Sequence, residues 1–134
     1  MNRANTREFV GLAGRYRNIG CPCIYPDLMM KLRPDETQCL TAYLELVLQT
    51  GLIRGAVQRA ARGTSESMVK ISAAVVEQLR VPLPNVGRQG EIVEAVAAVD
   101  RQIEQQAAVV AKLRTVQRSI IEDLLAGRSK VEAA

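Results

Sequence analysis

Apolar residues recur in alternating steps of four and three through the C-terminal third of the chain. A repeat of 3.5 residues keeps one face of a helix apolar, and such a face is buried by packing against a second helix. The pattern therefore predicts a coiled-coil helix over residues 86–126, roughly 55 to 60 Å long at 1.5 Å per residue. Its seam, of which only the glutamines are polar, is Ile92, Val96, Val99, Ile103, Gln106, Val110, Leu113, Gln117, Ile120 and Leu124.

The seam residues pair with one another when two copies of this helix run in opposite directions. Residues whose numbers add to 216 then face each other, and each layer joins an a position to a d position, as in Ile103 with Leu113. Acidic residues lie mostly in the first half and basic residues in the second, so antiparallel packing brings Asp100 near Arg114. Parallel packing would bring like charges together. The sequence thus predicts an antiparallel homodimer.

Shorter patterns precede this helix. The run from Cys23 to Arg33 predicts a strand between two turns. Apolar spacing over residues 40–48 predicts a helix, with Gly51 closing it in the left-handed conformation. A second helix is predicted over residues 52–62, with Leu52 among its buried residues.

The remaining segments complete a small lobe. Residues 68–71 predict a short strand, and Ser72 is suited to cap a turn or two of helix. The first twenty residues have no sustained periodicity and are expected to form loop. Together these elements predict an α+β fold with three parts: a lobe at 1–85, the long helix at 86–126 and a flexible tail at 127–134.

Composition narrows the classes of partner. Eighteen basic against fourteen acidic residues give a net charge of +4, which suits a polyanion such as DNA. One Phe, three Tyr and no Trp offer little for an aromatic platform that stacks single-stranded bases. No apolar run is long enough for a membrane span and the start of the chain is polar, so a cytoplasmic protein without membrane contact is expected.

The inventory of reactive groups argues against an enzyme. Without His, the chain has no Ser-His or Cys-His pair, and it contains no glycine-rich cofactor loop. Cys21, Cys23 and Cys39 supply too few ligands for a closed zinc site within one chain. Reduced thiols are the simpler interpretation, and a zinc site completed by a second chain is the alternative. We expect no catalytic residue, no metal and no cofactor.

A basic stripe on the second predicted helix is the candidate DNA-binding surface. Arginines on the solvent face of a helix near its C-terminus are ordinary and favour the helix dipole. The functional alternative is that they contact phosphates together with neighbouring hydroxyls and a lysine, because such contacts position a protein on a duplex. The residues concerned are Arg54, Arg59, Arg62, Thr64, Ser65 and Lys70.

Several short motifs occur in a recognisable order. They are Tyr25-Pro26-Asp27-Leu28, Tyr43-Leu44, Ala60-Ala61-Arg62-Gly63-Thr64, Ile71-Ser72, Val81-Pro82-Leu83-Pro84 followed by Gln89, and Asp123-Leu124-Leu125-Ala126-Gly127. As an ordered set they resemble the specificity subunit of type I restriction-modification enzymes. The resemblance covers the latter part of one target-recognition domain and its spacer helix.

The resemblance implies a non-catalytic role. In that family each recognition domain binds half of a split DNA target, and antiparallel spacer helices separate two domains and dock the modification (methyltransferase) subunits. This chain has one spacer helix and begins inside the recognition domain, so a homodimer that binds double-stranded DNA is expected. The alternative is a structural or regulatory oligomerisation module that pairs with specificity or modification subunits without binding DNA.

Overall fold

The computed structural model describes residues 1–65 and 68–128 and shows an α+β fold, as predicted. It divides into an N-terminal unit, Met1–Val93, and a C-terminal unit that begins at Glu94. The elements, in chain order, are β1 (Ala4–Asn5), α1 (Thr41–Gln49), α2 (Gly51–Ala60), β2 (Arg62–Ser65), β3 (Met68–Lys70), α3 (Ala73–Glu77) and α4 (Val86–Leu125).

Helices α1 and α2 follow each other with a single residue between them. α1 confirms the helix predicted over residues 40–48, and its Tyr43 and Val47 are buried. The predicted role of Gly51 is wrong, because Gly51 begins α2 and has no positive φ. The chain turns at Thr50 instead. Thr50 has extended backbone angles, its Oγ1 donates to the carbonyl of Val47 at 2.7 Å, and the same oxygen accepts from the N–H of Ile53 at 3.5 Å.

α2 confirms the second predicted helix but ends earlier than expected. Ile53 and Val57 are buried, as the apolar spacing predicted. Leu52 was expected in the core, but it is 75% exposed because it lies on the outer side of the first turn. The helix ends at Ala60, so Arg62 lies in a strand, not on a helical stripe.

A three-stranded antiparallel sheet has the order β1-β3-β2. β3 confirms the strand predicted over residues 68–71, and its Val69 is buried. The register places Lys70 opposite Arg62 on one side and Ala4 on the other. Gly63 lies against the backbone of Met68, where a Cβ would overlap the Met68 carbonyl oxygen. β2 therefore approaches β3 more closely than a larger residue would allow.

The first thirteen residues contribute to the core, although the sequence predicted only loop over the first twenty. Met1, Ala4 and Val10 are buried. Pairing with distant segments holds this stretch in place: the N–H of Ile71 donates to the carbonyl of Arg3 at 2.9 Å. Gly11 adopts a positive φ of 77° and lies against Val57, leaving no room for a side chain.

The strand predicted over residues 23–33 is wrong. Met29 forms a single isolated bridge with Asn2, and the described residues around it have no ladder partner. Met30 and Leu32 pack on the core while Lys31 and Arg33 are exposed, so burial alternates as it would in a strand. The apolar pattern was correct for an extended chain, but a strand also requires a hydrogen-bonding neighbour.

The prolines at 82 and 84 lie in a connector without helix or strand, in agreement with the backbone restrictions of proline. Ser72 caps α3 by accepting from the N–H of Val75 at 3.4 Å, and this confirms its predicted role. The hydroxyl of Tyr43 donates to the carbonyl of Pro82 at 3.0 Å, which ties the connector to α1. Asn85 then caps α4 through a 2.8 Å bond from the N–H of Arg88.

α4 confirms the long predicted helix. It ends in a Schellman arrangement, in which Gly127 has a φ of 67° and the N–H of Arg128 donates to the carbonyl of Asp123 at 2.9 Å. Residues 129–134 of the predicted tail lie outside the described residues.

Candidate functional sites

The seam of α4 is exposed along the C-terminal unit. Its six apolar members from Val99 onward are between 38% and 62% exposed, and the glutamines at 106 and 117 are exposed as well. A helix with a continuous apolar stripe gains most of its stability by packing that stripe against another surface. The exposed members are Val99, Ile103, Val110, Leu113, Ile120 and Leu124, and Val109, Val116 and Ile121 flank them.

The N-terminal end of the predicted seam has a different role. Ile92 and its neighbour Val93 pack against the hydrophobic core of the N-terminal unit. Ile92 was expected to face Leu124 of a second helix, so its assignment to the dimer interface is corrected in part. The apolar stripe thus packs on the core of the N-terminal unit up to residue 93 and is open to a partner beyond it.

Charged side chains beside the seam are exposed. With Val96 at position a, Asp100 and Arg114 both fall at e positions, which flank the seam of a coiled coil. In an antiparallel pair, e positions face e positions of the partner, and each dimer would contain this acid-base pair twice. The ion pairs that α4 forms within the described chain lie at its two ends, Arg88 with Glu91 at 2.6 Å and Arg128 with Asp123 at 3.2 Å.

Arg54 is bound within the fold. Its Nη2 donates to the carbonyl of Glu8 at 2.5 Å, and its Nη1 is buried without a hydrogen-bond partner among the described residues. Gln58, one turn further along α2, donates to the carbonyl of Arg7 at 3.1 Å. This face of α2 was expected to meet solvent, but it packs on the N-terminal turn. These contacts favour the structural alternative for Arg54, and its phosphate contact stays a prediction.

Arg59, Arg62 and Lys70 remain exposed. The guanidinium of Arg62 donates to the carbonyl of Arg59 at 3.1 Å and so satisfies an acceptor at the C-terminus of α2. Arg62 and Lys70 are direct cross-strand partners. Like charges in such positions repel each other, and an anion bound between them would relieve the repulsion. These three residues define a basic surface at the junction of α2 and the sheet.

The sequence did not indicate a further basic residue at this sheet. Arg3 is exposed and immediately precedes β1, whose Ala4 lies opposite Lys70. Only the long-range pairing of β1 with β3 brings it there, and no local pattern marks it. Thr64 and Ser65 lie in β2, but the side chains on which their predicted role depends are outside the described residues.

The three cysteines form no disulfide with one another, and two of them lie apart from the core. Cys21 and Cys23 are exposed and Cys39 is half-buried. Burial, together with the charge of Glu36, raises the pKa of the Cys39 thiol. Within residues 1–65 and 68–128, no group of three or more metal-ligating side chains comes together. Among the same residues, no helix combines the length and apolar character that crossing a membrane requires.

Comparison of the chain with protein-family models, with curated proteins and with solved structures gives no match. A proposal for the function therefore rests on the exposed seam, on the basic surface and on the order of the sequence motifs.

Proposed function

We propose that this chain is a non-catalytic DNA-specificity module of the type I restriction-modification kind, which dimerises through antiparallel α4 helices. In this role it contributes to recognition of double-stranded DNA and to assembly with a modification subunit in the cytoplasm. The observation that carries the proposal is the exposed seam of α4, whose members, apart from the Ile92–Leu124 layer, would pair a positions with d positions along an antiparallel second copy of the same helix.

Two other features support the proposal. Gln89, five residues after Pro84 in the motif shared with the specificity subunits, is wholly buried and joins the start of α4 to the N-terminal unit. The unit also presents the basic surface of Arg59, Arg62 and Lys70, which has the chemistry for phosphate contacts.

Disulfide cross-linking tests the orientation of the helices. In a background with the three native cysteines replaced by serine, one protein carries Ile103→Cys and another carries Leu113→Cys. Antiparallel pairing predicts a disulfide when the two proteins are mixed and none when either is oxidised alone, because residue 103 then faces residue 113 of the partner. Parallel pairing predicts the opposite, since each position would face itself. Cross-linking of each protein alone, or a monomer in sedimentation, would overturn the proposal.

The DNA-binding part has its own test. Three phosphate contacts give a slope of log affinity against log salt of about −2.7 on duplex DNA. The triple substitution Arg59→Ala, Arg62→Ala and Lys70→Ala should bring that slope close to zero. An unchanged slope would remove these residues from the interface.

A second function remains a candidate because of Arg54. Because Arg54 already donates to the carbonyl of Glu8, fewer of the predicted residues are left to bind phosphate. This favours a module that assembles other subunits without binding DNA itself. Dimers that form normally and bind no duplex, alone or with a modification subunit, would support this alternative.

A further inference from the structure

The apolar band on α4 is wider than the seam alone. With Val96 at position a, Val109 and Val116 fall at g positions, directly beside the seam. Val109 is 49% exposed and Val116 is 53% exposed. A two-stranded coiled coil buries its a and d positions, whereas a helix in a bundle buries a, d and one flanking position. The pattern of α4 is therefore typical of a bundle helix.

The two sides of the seam differ in charge. On the e side, Asp100 and Arg114 are exposed and would pair across the antiparallel dimer. On the g side, the positions at 95, 102, 109 and 116 carry no charge, and Asp123 near the helix end is already paired with Arg128 at 3.2 Å. An antiparallel dimer thus has one charged side and one uncharged side. We call the uncharged side, formed by Gln102, Val109 and Val116 of both copies, the g face.

The g face is complementary to a second copy of itself. The two-fold axis of the antiparallel dimer passes beside residue 108, so Val109 lies next to the axis in both copies. Two dimers that stack g face on g face with dihedral symmetry bring Val109 against Val109 and Val116 against Gln102 across the new contact. Neighbouring helices then all run antiparallel, and diagonal helices run parallel. An uncharged surface centred on a symmetry axis suits such an isologous contact.

The seam glutamines favour the same occupant. In a dimer alone, Gln106 faces Val110 and Gln117 faces Val99, so neither carboxamide meets a polar group across the seam. In two stacked dimers, the parallel diagonal helices bring each glutamine to the level of its own copy. The two carboxamides can then donate and accept between one another, as buried polar groups require. A second dimer supplies these partners by symmetry, whereas another protein would need polar groups at matching heights.

We propose that two antiparallel dimers associate through their g faces, so that the α4 segments beyond Val93 form a four-helix bundle. The inference rests on the antiparallel dimer of the proposed function, and it names what covers the apolar side that this dimer leaves open. The occupant is a second copy of the same dimer. Binding of DNA plays no part in the argument.

Sedimentation equilibrium tests the assembly with the unmodified chain. We expect a species of four 14.7 kDa chains at micromolar concentration, in equilibrium with dimers on dilution. Val109→Gln with Val116→Gln should raise the dissociation constant from tetramer to dimer about a hundredfold or more, because the apolar contact is lost while both positions keep a good helix former.

A matched pair of substitutions controls for helix propensity and polarity. Ala108→Gln with Thr115→Gln introduces the same residue at two f positions, which lie away from the seam, and should leave the tetramer unchanged. Circular dichroism confirms that both double variants keep their helix content. A wild-type chain that stays dimeric at all concentrations, or equal dissociation constants for the two double variants, would overturn the inference.

Cross-linking at residue 99 detects the diagonal contact. In a background with the three native cysteines replaced by serine, Val99→Cys places two thiols about 27 Å apart along an antiparallel dimer. In the tetramer the same thiols lie at one level on diagonal helices, whose axes are about 11 to 14 Å apart, a distance suited to a short bis-maleimide and too long for a disulfide. We expect a cross-linked pair of chains that disappears when Val109→Gln and Val116→Gln are added. Failure of Val99→Cys to cross-link would contradict the bundle.

The outcomes separate this inference from the proposed function. If the chain sediments as a monomer, or if Ile103→Cys and Leu113→Cys each form a disulfide alone, the antiparallel dimer and the bundle both fail. If those two proteins cross-link only when mixed and no species larger than a dimer appears, only the bundle fails. The bundle also fails if a modification subunit binds a stable dimer and loses that binding on Val109→Gln with Val116→Gln, since the g face would then belong to that subunit.

Discussion

The side chain of Gln89 accepts the backbone N–H of Leu40 at 2.8 Å, across 49 positions of sequence. Its amide nitrogen donates to the carbonyls of Gln38 at 2.8 Å and Pro84 at 2.7 Å. Leu40 is the N-cap residue of α1 and has no side-chain cap of its own. A single carboxamide therefore connects the start of α4, the start of α1 and the proline connector.

Replacing Gln89 with methionine should lower the free energy of unfolding by about 3 kcal/mol, because three backbone groups lose a partner in a site that excludes water. Methionine has a similar length, so loss of packing contributes little. Gln105→Met on the exposed face of α4 is the matched control and should change stability by less than about 0.5 kcal/mol. Urea denaturation measures both, and equal midpoints would show that the buried hydrogen bonds have no net effect.

The two arginines of α2 should respond differently to substitution. Arg54→Ala removes the bond to the Glu8 carbonyl and should destabilise the fold by about 1 to 2 kcal/mol. Arg59→Ala changes an exposed residue, so stability should stay within about 0.5 kcal/mol while the salt slope of duplex binding falls by about 0.9. Thermal denaturation and fluorescence anisotropy make the two measurements. The reverse pattern would return Arg54 to the DNA-binding surface.

Gly11→Ala should destabilise the N-terminal unit by about 2 kcal/mol, because alanine is strained at a φ of 77° and its Cβ would overlap the side chain of Val57. Gly14→Ala is the control, since no atom lies within 4 Å of its added Cβ and its φ is not positive. Thermal denaturation of the two variants should differ clearly. A Gly11→Ala protein as stable as Gly14→Ala would refute the packing of the N-terminal turn on α2.

Charge exchange tests the antiparallel dimer independently of cross-linking. Asp100→Arg or Arg114→Asp alone should weaken the dimer about three- to tenfold, because each places two like-charged pairs beside the seam at roughly 0.2 to 1 kcal/mol per pair. The double variant restores opposite charges and should recover most of the affinity. Sedimentation equilibrium at low salt gives the dissociation constants. Additive weakening in the double variant would exclude this register.

Alkylation at different pH values should separate the cysteines. Burial and the charge of Glu36 raise the pKa of Cys39, so less thiolate is present near neutral pH and its rate should keep rising above pH 9. Half-burial slows access to the same thiol. At pH 8, Cys39 should therefore react several-fold more slowly than exposed Cys21 and Cys23. A similar rate at all three would indicate that the packing around Cys39 opens readily.

Local patterns predicted the helices well and the sheet poorly. α1, α2 and α4 each have an apolar spacing that repeats over several turns, and such a signal is contained within the element. β1 has two residues and no periodicity, and it exists because β3 lies beside it. The missed strand β1 and the misassigned one at residues 23–33 thus share a cause, since both depended on a partner distant in sequence.

The candidate sites were likewise predictable where the signal lay within one element and unpredictable where it depended on distant residues. The seam of α4 was visible because coiled-coil periodicity extends over the whole helix, although the burial of Ile92 in its own unit was not. The spacing of Arg54 and Arg62 suggested one exposed stripe. The N-terminal turn covers Arg54 and the neighbouring Gln58, and the early end of α2 places Arg62 in the sheet. No pattern along α2 could reveal what packs on it.

The Schellman cap at Gly127 fixes the end of α4, and the buried Gln89 fixes its beginning. Between these two points the apolar stripe of the helix repeats every seven residues, so the heptad is the natural step by which its length can change. Removing seven residues would shorten it by about 10 Å and return the apolar stripe nearly to its original bearing, whereas removing five would turn the stripe by more than a right angle. The distance between the two ends of α4 would therefore change in steps of one heptad without redesign of either end.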